Sequence, residues 1–259
     1  MVPLDVEPAK IERVLIYLRS WLGAMVLFPL ATGFLSALMV LHSLLWGNRR
    51  VSDWIIHQWV SFTCWLFGVQ IVVEGAANIP TQGCVYLFSH RSFFDIFALQ
   101  FAVPRLRFGS KIELFSIPVF GVAMKRAGVL PIARQRMTEV IRVYEEAQPR
   151  LRAGDQFALA PEGKRNTTSH RLLDFKMGPF MFTIGAKALL VPVVIWGADE
   201  VWPKGTFIPQ QKRWRSKIIL RFLSPIPTAG KSQSDKETLQ EQVFKLMDDS
   251  LREMEVRQR

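Results

Sequence analysis

From Trp21 to Trp46 the chain runs 26 residues without a formally charged side chain. About 20 apolar residues are enough to cross the hydrocarbon core of a bilayer, and there only a helix satisfies its own backbone, so this stretch constrains the N-terminal part to helix. It is too long for a signal-peptide core and no small-residue cleavage pattern follows it, so it is expected to be retained. Asp5, Glu7 and Glu12 stand among the basic residues of the segment Met1 to Ser20 that precedes it. Pro29 and Gly33 are expected to kink the helix. Arg13 and Arg19 lie before the run and Arg49 and Arg50 after it, so charge bias sets no orientation.

A second stretch, Val51 to Phe67, places Ile55, Trp59, Phe62 and Leu66 at helical spacing. Trp54 and Trp65 add to it, and tryptophans at this density suit the boundary between headgroups and hydrocarbon. Three arrangements fit the pair of segments: a helical hairpin embedded in one leaflet, a spanning helix followed by an interfacial one, or two core helices of a soluble protein. Hydrophobic residues make up 49% of the 259, and the excess is concentrated in the first seventy positions, which favours a membrane-associated arm over residues 1–68 and a soluble body over 69–259. The balance of 33 Lys and Arg against 22 Asp and Glu, +11, suits an anionic membrane surface or acidic small substrates. Neither a zinc-ligand cluster nor an RNA-binding aromatic signature accompanies the cations, so neither a metal nor a nucleic-acid partner is expected. Cys64 and Cys84 read as small reduced hydrophobes, consistent with a cytosolic environment.

After Gln70 short β-rich runs alternate with helical stretches. Strands are expected near Ile71–Glu74, Val85–Phe88, Arg107–Phe108, Val129–Ile132, Gln156–Leu159, Leu190–Ile195 and Lys217–Phe222. Helices are expected over Phe94–Phe101, Ile117–Arg126, Thr138–Arg152, Gly178–Lys187 and Lys236–Glu255. Alternation of this kind predicts an α/β body with a mostly parallel sheet flanked by helices.

One strand–helix junction carries Ser89-His90-Arg91-Ser92-Phe93-Phe94-Asp95. A histidine can accept a proton near neutral pH, and a nearby carboxylate can fix its tautomer and stabilise the imidazolium. Taken alone, the pair fits an Asp at a helix start beside a polar loop equally well. Further on, Gly128-Val129-Leu130-Pro131-Ile132-Ala133-Arg134 ends a strand on an arginine, whose planar fork suits a phosphate, or simply solvent. The strand Phe157-Ala158-Leu159-Ala160 runs into Pro161-Glu162-Gly163-Lys164-Arg165, a tight turn with one carboxylate and two cations at the end where open α/β sheets bind ligands. Pro192 in Leu190-Val191-Pro192-Val193-Val194 supplies neither proton nor charge and reads as structural.

In this order the blocks HxxxxD, GxLxIxR, PEGxR and VPV resemble the four-block signature of the glycerophospholipid acyltransferase family, in its 1-acyl-glycerol-3-phosphate (lysophosphatidate) branch, over about Val72 to Val194. The segment Lys111 to Pro118 is similar to a connecting segment of that branch. Ser89 stands where the family most often has asparagine, Ala160 where it often has phenylalanine, and Lys164 where it often has threonine. The added lysine puts the acceptor preference in question.

The resemblance implies transfer of an acyl chain from a thioester of coenzyme A or acyl carrier protein to the free sn-2 hydroxyl of a lysophospholipid, with no metal and no cofactor beyond that co-substrate. It implies His90 as the base and Asp95 as its orienting carboxylate. Arg134 and Arg165 are the expected phosphate ligands, joined by Lys111 and Lys176. Glu162 is expected on the glycerol or on an arginine, and Gly163 as the turn that lets backbone approach ligand. Lysophospholipid, acyl thioester, membrane lipid and acyl carrier protein are the implied partners, and the implied location is a bacterial inner or cell membrane with the catalytic domain on the cytoplasmic side. Other acceptors (glycerol-3-phosphate, another lysophospholipid, a lyso-ornithine lipid) and a non-catalytic lipid-binding role are the alternatives. A hydrolase is disfavoured, since no G-x-S-x-G elbow is present. A regular helix would set His90 and Asp95 about 140° apart, so His90 is predicted to lie outside the helix.

Overall fold

In the computed structural model, which describes residues 10–167 and 171–258, helix α1 (Lys10–Leu22), a π-helical turn (Gly23–Leu27) and helix α2 (Phe28–Leu45) run on without a break. Residues 1–9 of the expected arm, with Asp5 and Glu7, lie outside the described residues. The run of 36 residues is long and apolar enough to cross a membrane, and at 1.5 Å per residue it extends about 54 Å. Its irregularity falls one turn ahead of Pro29, because the proline ring crowds the carbonyl four residues back, and a wider turn relieves the clash. Gly33 faces open space, and the α-helical hydrogen bonding of α2 runs on through it. Asn48 caps the returning helix α3 (Arg49–Leu66), its side-chain oxygen accepting from the Arg50 amide at 2.9 Å.

The body follows as strand β1 (Val69–Glu74), strand β2 (Cys84–Phe88), helix α4 (Phe94–Ala102), strand β3 (Leu106–Lys111), helix α5 (Phe120–Arg126), strand β4 (Leu130–Ile132), helix α6 (Met137–Arg152), strand β5 (Gln156–Leu159), helix α7 (Gly178–Ala186), strand β6 (Leu189–Trp196), the short helix α8 (Ala198–Val201), strand β7 (Ser216–Phe222), strand β8 (Ile226–Pro227) and helix α9 (Lys236–Gln258). The sheet order is β1-β7-β6-β2-β5-β3-β4, with β8 also on β6. Pairing is parallel except for β6 with β7 and β6 with β8. The expected α/β architecture with a mostly parallel sheet is therefore present.

Period-two alternation divides the core into two layers. Cys84, Tyr86 and Phe88 of β2 face a cluster with Phe67 of the arm and Phe94 and Phe97 of α4, whereas Val85 and Leu87 face one with Tyr144, Phe182 and Val243 from α6, α7 and α9. Ala24, Val60, Cys64 and Leu66 of the arm belong to the first cluster. Arm and body thus share one core, although β1 begins at Val69, where the expected boundary falls.

Helix α5 starts three residues later than expected. Ile117 precedes a proline and is held extended, and Val119 takes φ 62°, so helical backbone begins only at Phe120. Pro192 sits inside a central strand, where its missing donor costs little for a local reason. Its carbonyl accepts from Leu223 at 2.9 Å, and the nitrogen of the same strand residue points the same way, into the gap where β7 has ended and β8 has not begun.

Candidate active site

Four parallel strands deliver the sequence motifs to one edge of the sheet. His90 follows the carboxyl end of β2, the Pro161–Arg165 turn follows β5, Lys111 ends β3, and Arg134 lies two residues past β4. Because the sheet order here is β2-β5-β3-β4, the histidine and the cations lie along a single rim at about 4.8 Å per strand. This is the edge where ligands bind in open α/β sheets.

His90 stands in the loop between β2 and α4, outside the helix as the angular argument requires. Its Nδ1 lies 2.8 Å from Asp95 Oδ2. The same oxygen accepts the backbone amides of Arg91 and Ser92, each at 2.7 Å. Ser92 Oγ in turn accepts from the Phe94 amide at 3.1 Å and donates to the Trp202 carbonyl at 2.8 Å. Ser92 and Asp95 therefore act as the capping pair of α4: the serine caps a first-turn amide, and the carboxylate three residues on reaches back to the serine's own N–H. The spacing of His90 and Asp95 follows from this cap, since a carboxylate folded back over the loop meets a histidine two residues before the serine. With Nδ1–H donated to the carboxylate, Nε2 is the ring nitrogen left with a lone pair. Asp95 is 1% exposed and its Oδ1 is buried without a hydrogen-bond partner, so its charge rests on Oδ2 and the three donors there.

Aromatic rings wall the pair. Phe88 meets the imidazole edge-on at 5.4 Å between centroids, and Phe93 packs on Phe97, Trp202 and Phe28 of the arm at 5.1, 5.4 and 5.9 Å. Phe94 is fully buried against Phe67.

Glu162, expected on the glycerol or on an arginine, is buried and accepts two backbone amides. Its Oε1 accepts the His90 amide at 3.1 Å and its Oε2 the Leu173 amide at 3.0 Å. The Asn166 amide donates to the His90 carbonyl at 2.7 Å, so the segment after β5 holds the histidine backbone on both sides. Burial lifts the Glu162 carboxyl above its ordinary 4.5, against the pull of the Leu173 and His90 amides, the His90 charge and the Asn166 side chain. Gly163 turns the chain at φ 70°, a left-handed conformation that favours glycine, and the stem of Lys176 lies over it, 3.5 Å from where a Cβ would project. Lys176 is thereby placed beside the turn.

Arg134 follows β4 and Arg165 follows β5, on the same rim of the sheet. Burial holds the Arg134 guanidinium below its ordinary range; Glu113 opposes this, Arg165 adds to it by repulsion, and Tyr144 opposes it weakly. Two cations that repel across a rim are a cradle for an anion. Lys111 lies 3.3 Å from Glu113, in an exposed pair, at the outer part of the same rim. Lys204 Nζ donates to the Arg165 carbonyl at 3.1 Å and adds one more positive group. Among the described residues no cluster of His, Cys, Asp and Glu is arranged to hold a metal ion.

The sequence reading missed Ser89, Ser92 and Asn166. Ser89 Oγ accepts the Ile195 amide at 2.9 Å and ties the end of β2 to β6. Ser92 was detectable, because Ser-x-x-Asp ahead of an apolar helix is a capping signature. Ser89 left no local trace, since its Oγ partner lies 106 positions away, and the tie from Asn166 to His90 spans 76.

Set against known proteins, residues 70–196 match the family described as Acyltransferase, and the body of this chain is an acyltransferase-family domain. Within that family the similarity runs to proteins named for lysophosphatidate. The chain is 30% identical over 161 residues to the chloroplastic 1-acyl-sn-glycerol-3-phosphate acyltransferase LPAT1 of Arabidopsis thaliana, covering 61% of this chain and 45% of that one. It is 31% identical over 183 residues to 1-acyl-sn-glycerol-3-phosphate acyltransferase alpha of Homo sapiens, covering 69% and 62%, and 28% identical over 255 residues to the Saccharomyces cerevisiae 1-acyl-sn-glycerol-3-phosphate acyltransferase, covering 94% and 80%. It spans a little under half the length of the two plant chloroplast relatives. The fold matches that of the 1-acyl-sn-glycerophosphate acyltransferase PlsC of Thermotoga maritima with a TM-score of 0.74, at 23% identity, over 95% of this chain and 97% of that one.

Proposed function

We propose that this chain transfers a fatty acyl group from a thioester of coenzyme A or acyl carrier protein to the sn-2 hydroxyl of 1-acyl-glycerol-3-phosphate, giving phosphatidic acid. The observation that carries it is the His90–Asp95 pair, with Nδ1 committed at 2.8 Å and Nε2 available, on the same sheet edge as Arg165 and Arg134. An alcohol is a poor nucleophile at neutral pH. Nε2 takes the hydroxyl proton as the oxygen attacks the thioester carbonyl, Asp95 stabilises the imidazolium, and the departing thiolate recovers that proton as the tetrahedral intermediate collapses. The substrate supplies its own nucleophile, so no acyl-enzyme forms. The Arg165 and Arg134 cations are suited to the acceptor phosphate. The long apolar run of α1 and α2 supports a site at a membrane, the solvent in which both lipids live, and in this reading the body lies on the cytoplasmic side.

The test is acyl transfer by the purified full chain in detergent against lysophosphatidate, glycerol-3-phosphate, other lysophospholipids and lyso-ornithine lipid, with both donors. Lysophosphatidate should stand out, and His90→Ala should lose on the order of 10³-fold or more in kcat while remaining folded. A variant within tenfold of the parent would remove the base from this mechanism.

A further inference from the structure

The connection from Trp202 to Arg215, between α8 and β7, carries four cations, Lys204, Lys212, Arg213 and Arg215, and no acidic residue. Two of its aromatic side chains lie open: Phe207 is 88% exposed and Trp214 45%. An apolar ring that far into solvent at the tip of a loop has no role in the core, which raises the question of what covers it.

Both ends of the loop are fixed. At the first, Trp202 accepts the Ser92 hydroxyl, Pro203 bridges Ser92, and Lys204 reaches the Arg165 carbonyl, so the loop begins on the catalytic rim. At the other, Arg19 of α1 donates to the Trp214 carbonyl at 2.8 Å, and its guanidinium carbon stacks over the Trp214 ring at 4.3 Å. Gln211 donates to the Phe67 carbonyl at 2.8 Å. Gly68, at φ 60°, brings the backbone so close that a Cβ there would stand 2.4 Å from the Trp214 carbonyl oxygen. The loop therefore lies against the foot of the arm. Nearby on α1 and α3 are the exposed apolar residues Tyr17, Trp21 and Trp65.

We propose that residues 202–215 form a second membrane contact, in which Phe207 and Trp214 enter the headgroup boundary and Lys212 and Arg215 rest on anionic lipid phosphates. Aromatic rings flanked by Lys and Arg, with no carboxylate among them, match that boundary in both polarity and charge. The arm fixes one point of the body on the bilayer, and this loop fixes another. Two points set the tilt, and because one of them adjoins Ser92 and Arg165, the tilt turns the catalytic rim towards the lipid surface. The proposal rests on the reading that the arm lies in the bilayer, and the experiment separates the two.

Cys64 and Cys84 are buried, so a polarity-sensitive fluorophore can be attached to thiols introduced singly in the full chain: Phe207→Cys in the loop, Phe34→Cys on the outer face of α2, and Glu241→Cys on α9 as an aqueous reference. The chain is reconstituted into vesicles of phosphatidylcholine alone or mixed with phosphatidylglycerol, some carrying a lipid-borne quencher. In the mixed vesicles the label at 207 should shift to the blue and be quenched, less so in phosphatidylcholine alone, and Lys212→Glu with Arg215→Glu should reverse the shift. A label at 207 that stays aqueous while the label at 34 is lipid-embedded overturns the proposal. Equal quenching in both lipid compositions overturns the role of the cations, and an aqueous label at 34 overturns the embedded arm itself.

Discussion

At the residue scale, Asp95 carries two duties on one oxygen. Oδ2 orients His90 and accepts the Arg91 and Ser92 amides, so the catalytic carboxylate is also the cap that starts α4. Asp95→Asn should lower kcat on the order of 10³- to 10⁴-fold with little change in KM, by releasing the imidazole tautomer; initial rates with lysophosphatidate measure this, and a retained kcat would leave the carboxylate with only its capping role. Glu162 makes a separate, pH-dependent prediction. Its carboxyl is raised above 4.5 by burial, so above that pH the native state holds this proton longer than the unfolded chain does. Its contribution to stability is therefore greatest at and below 4.5 and declines as pH rises through the interval up to the raised value. Glu162→Gln should flatten that decline in denaturant midpoints measured from acid to neutral pH. An unchanged slope would assign the dependence to another group.

At the element scale, the strands were readable where alternation or a continuous apolar run marked them, as at Val85–Phe88 and Leu190–Ile195. What escaped was short or set by contacts far along the chain. Strand β8 has two residues, α8 has four, and α5 begins late because of the Pro118–Val119 turn. The site divides along the same line. His90 and Asp95 were legible because their signal is local, whereas the Glu162 contact to His90 spans 72 positions and leaves no spacing to read. Electrostatic joints between elements were equally hidden. Asp53 of α3 pairs with Arg107 of β3, and Arg107 is 4% exposed. Asp155, after α6, accepts both Arg49 of α3 and Arg150. Asp53→Ala leaves a buried guanidinium without its carboxylate and should cost about 3–5 kcal/mol. Thermal unfolding in detergent checks it, and a loss below about 1 kcal/mol, the range of surface pairs, would mean that Arg107 finds other solvation.

At the scale of the whole molecule, the arm completes the fold of the body. Phe28 stacks with Trp59 and meets Phe93, Phe97 and Trp202, which pack around the start of α4. Phe67, fully buried, closes the same layer over Phe94. Removing residues 1–68 would strip Ala24, Phe28, Val60, Cys64, Leu66 and Phe67 from a core face that they share with α4 and α8. Burial of a large side chain contributes about 1.5–3 kcal/mol, so the loss of several is comparable to the 5–15 kcal/mol that a domain typically has in hand. A fragment of residues 69–259 should therefore fail to fold even in detergent: it should bind a hydrophobic dye strongly, show no cooperative thermal transition, and lack activity. The full chain under the same conditions should melt in a single transition. A monodisperse fragment with a sharp transition of its own would show that the α/β body holds its layer closed without the arm, and would reduce the arm to an anchor.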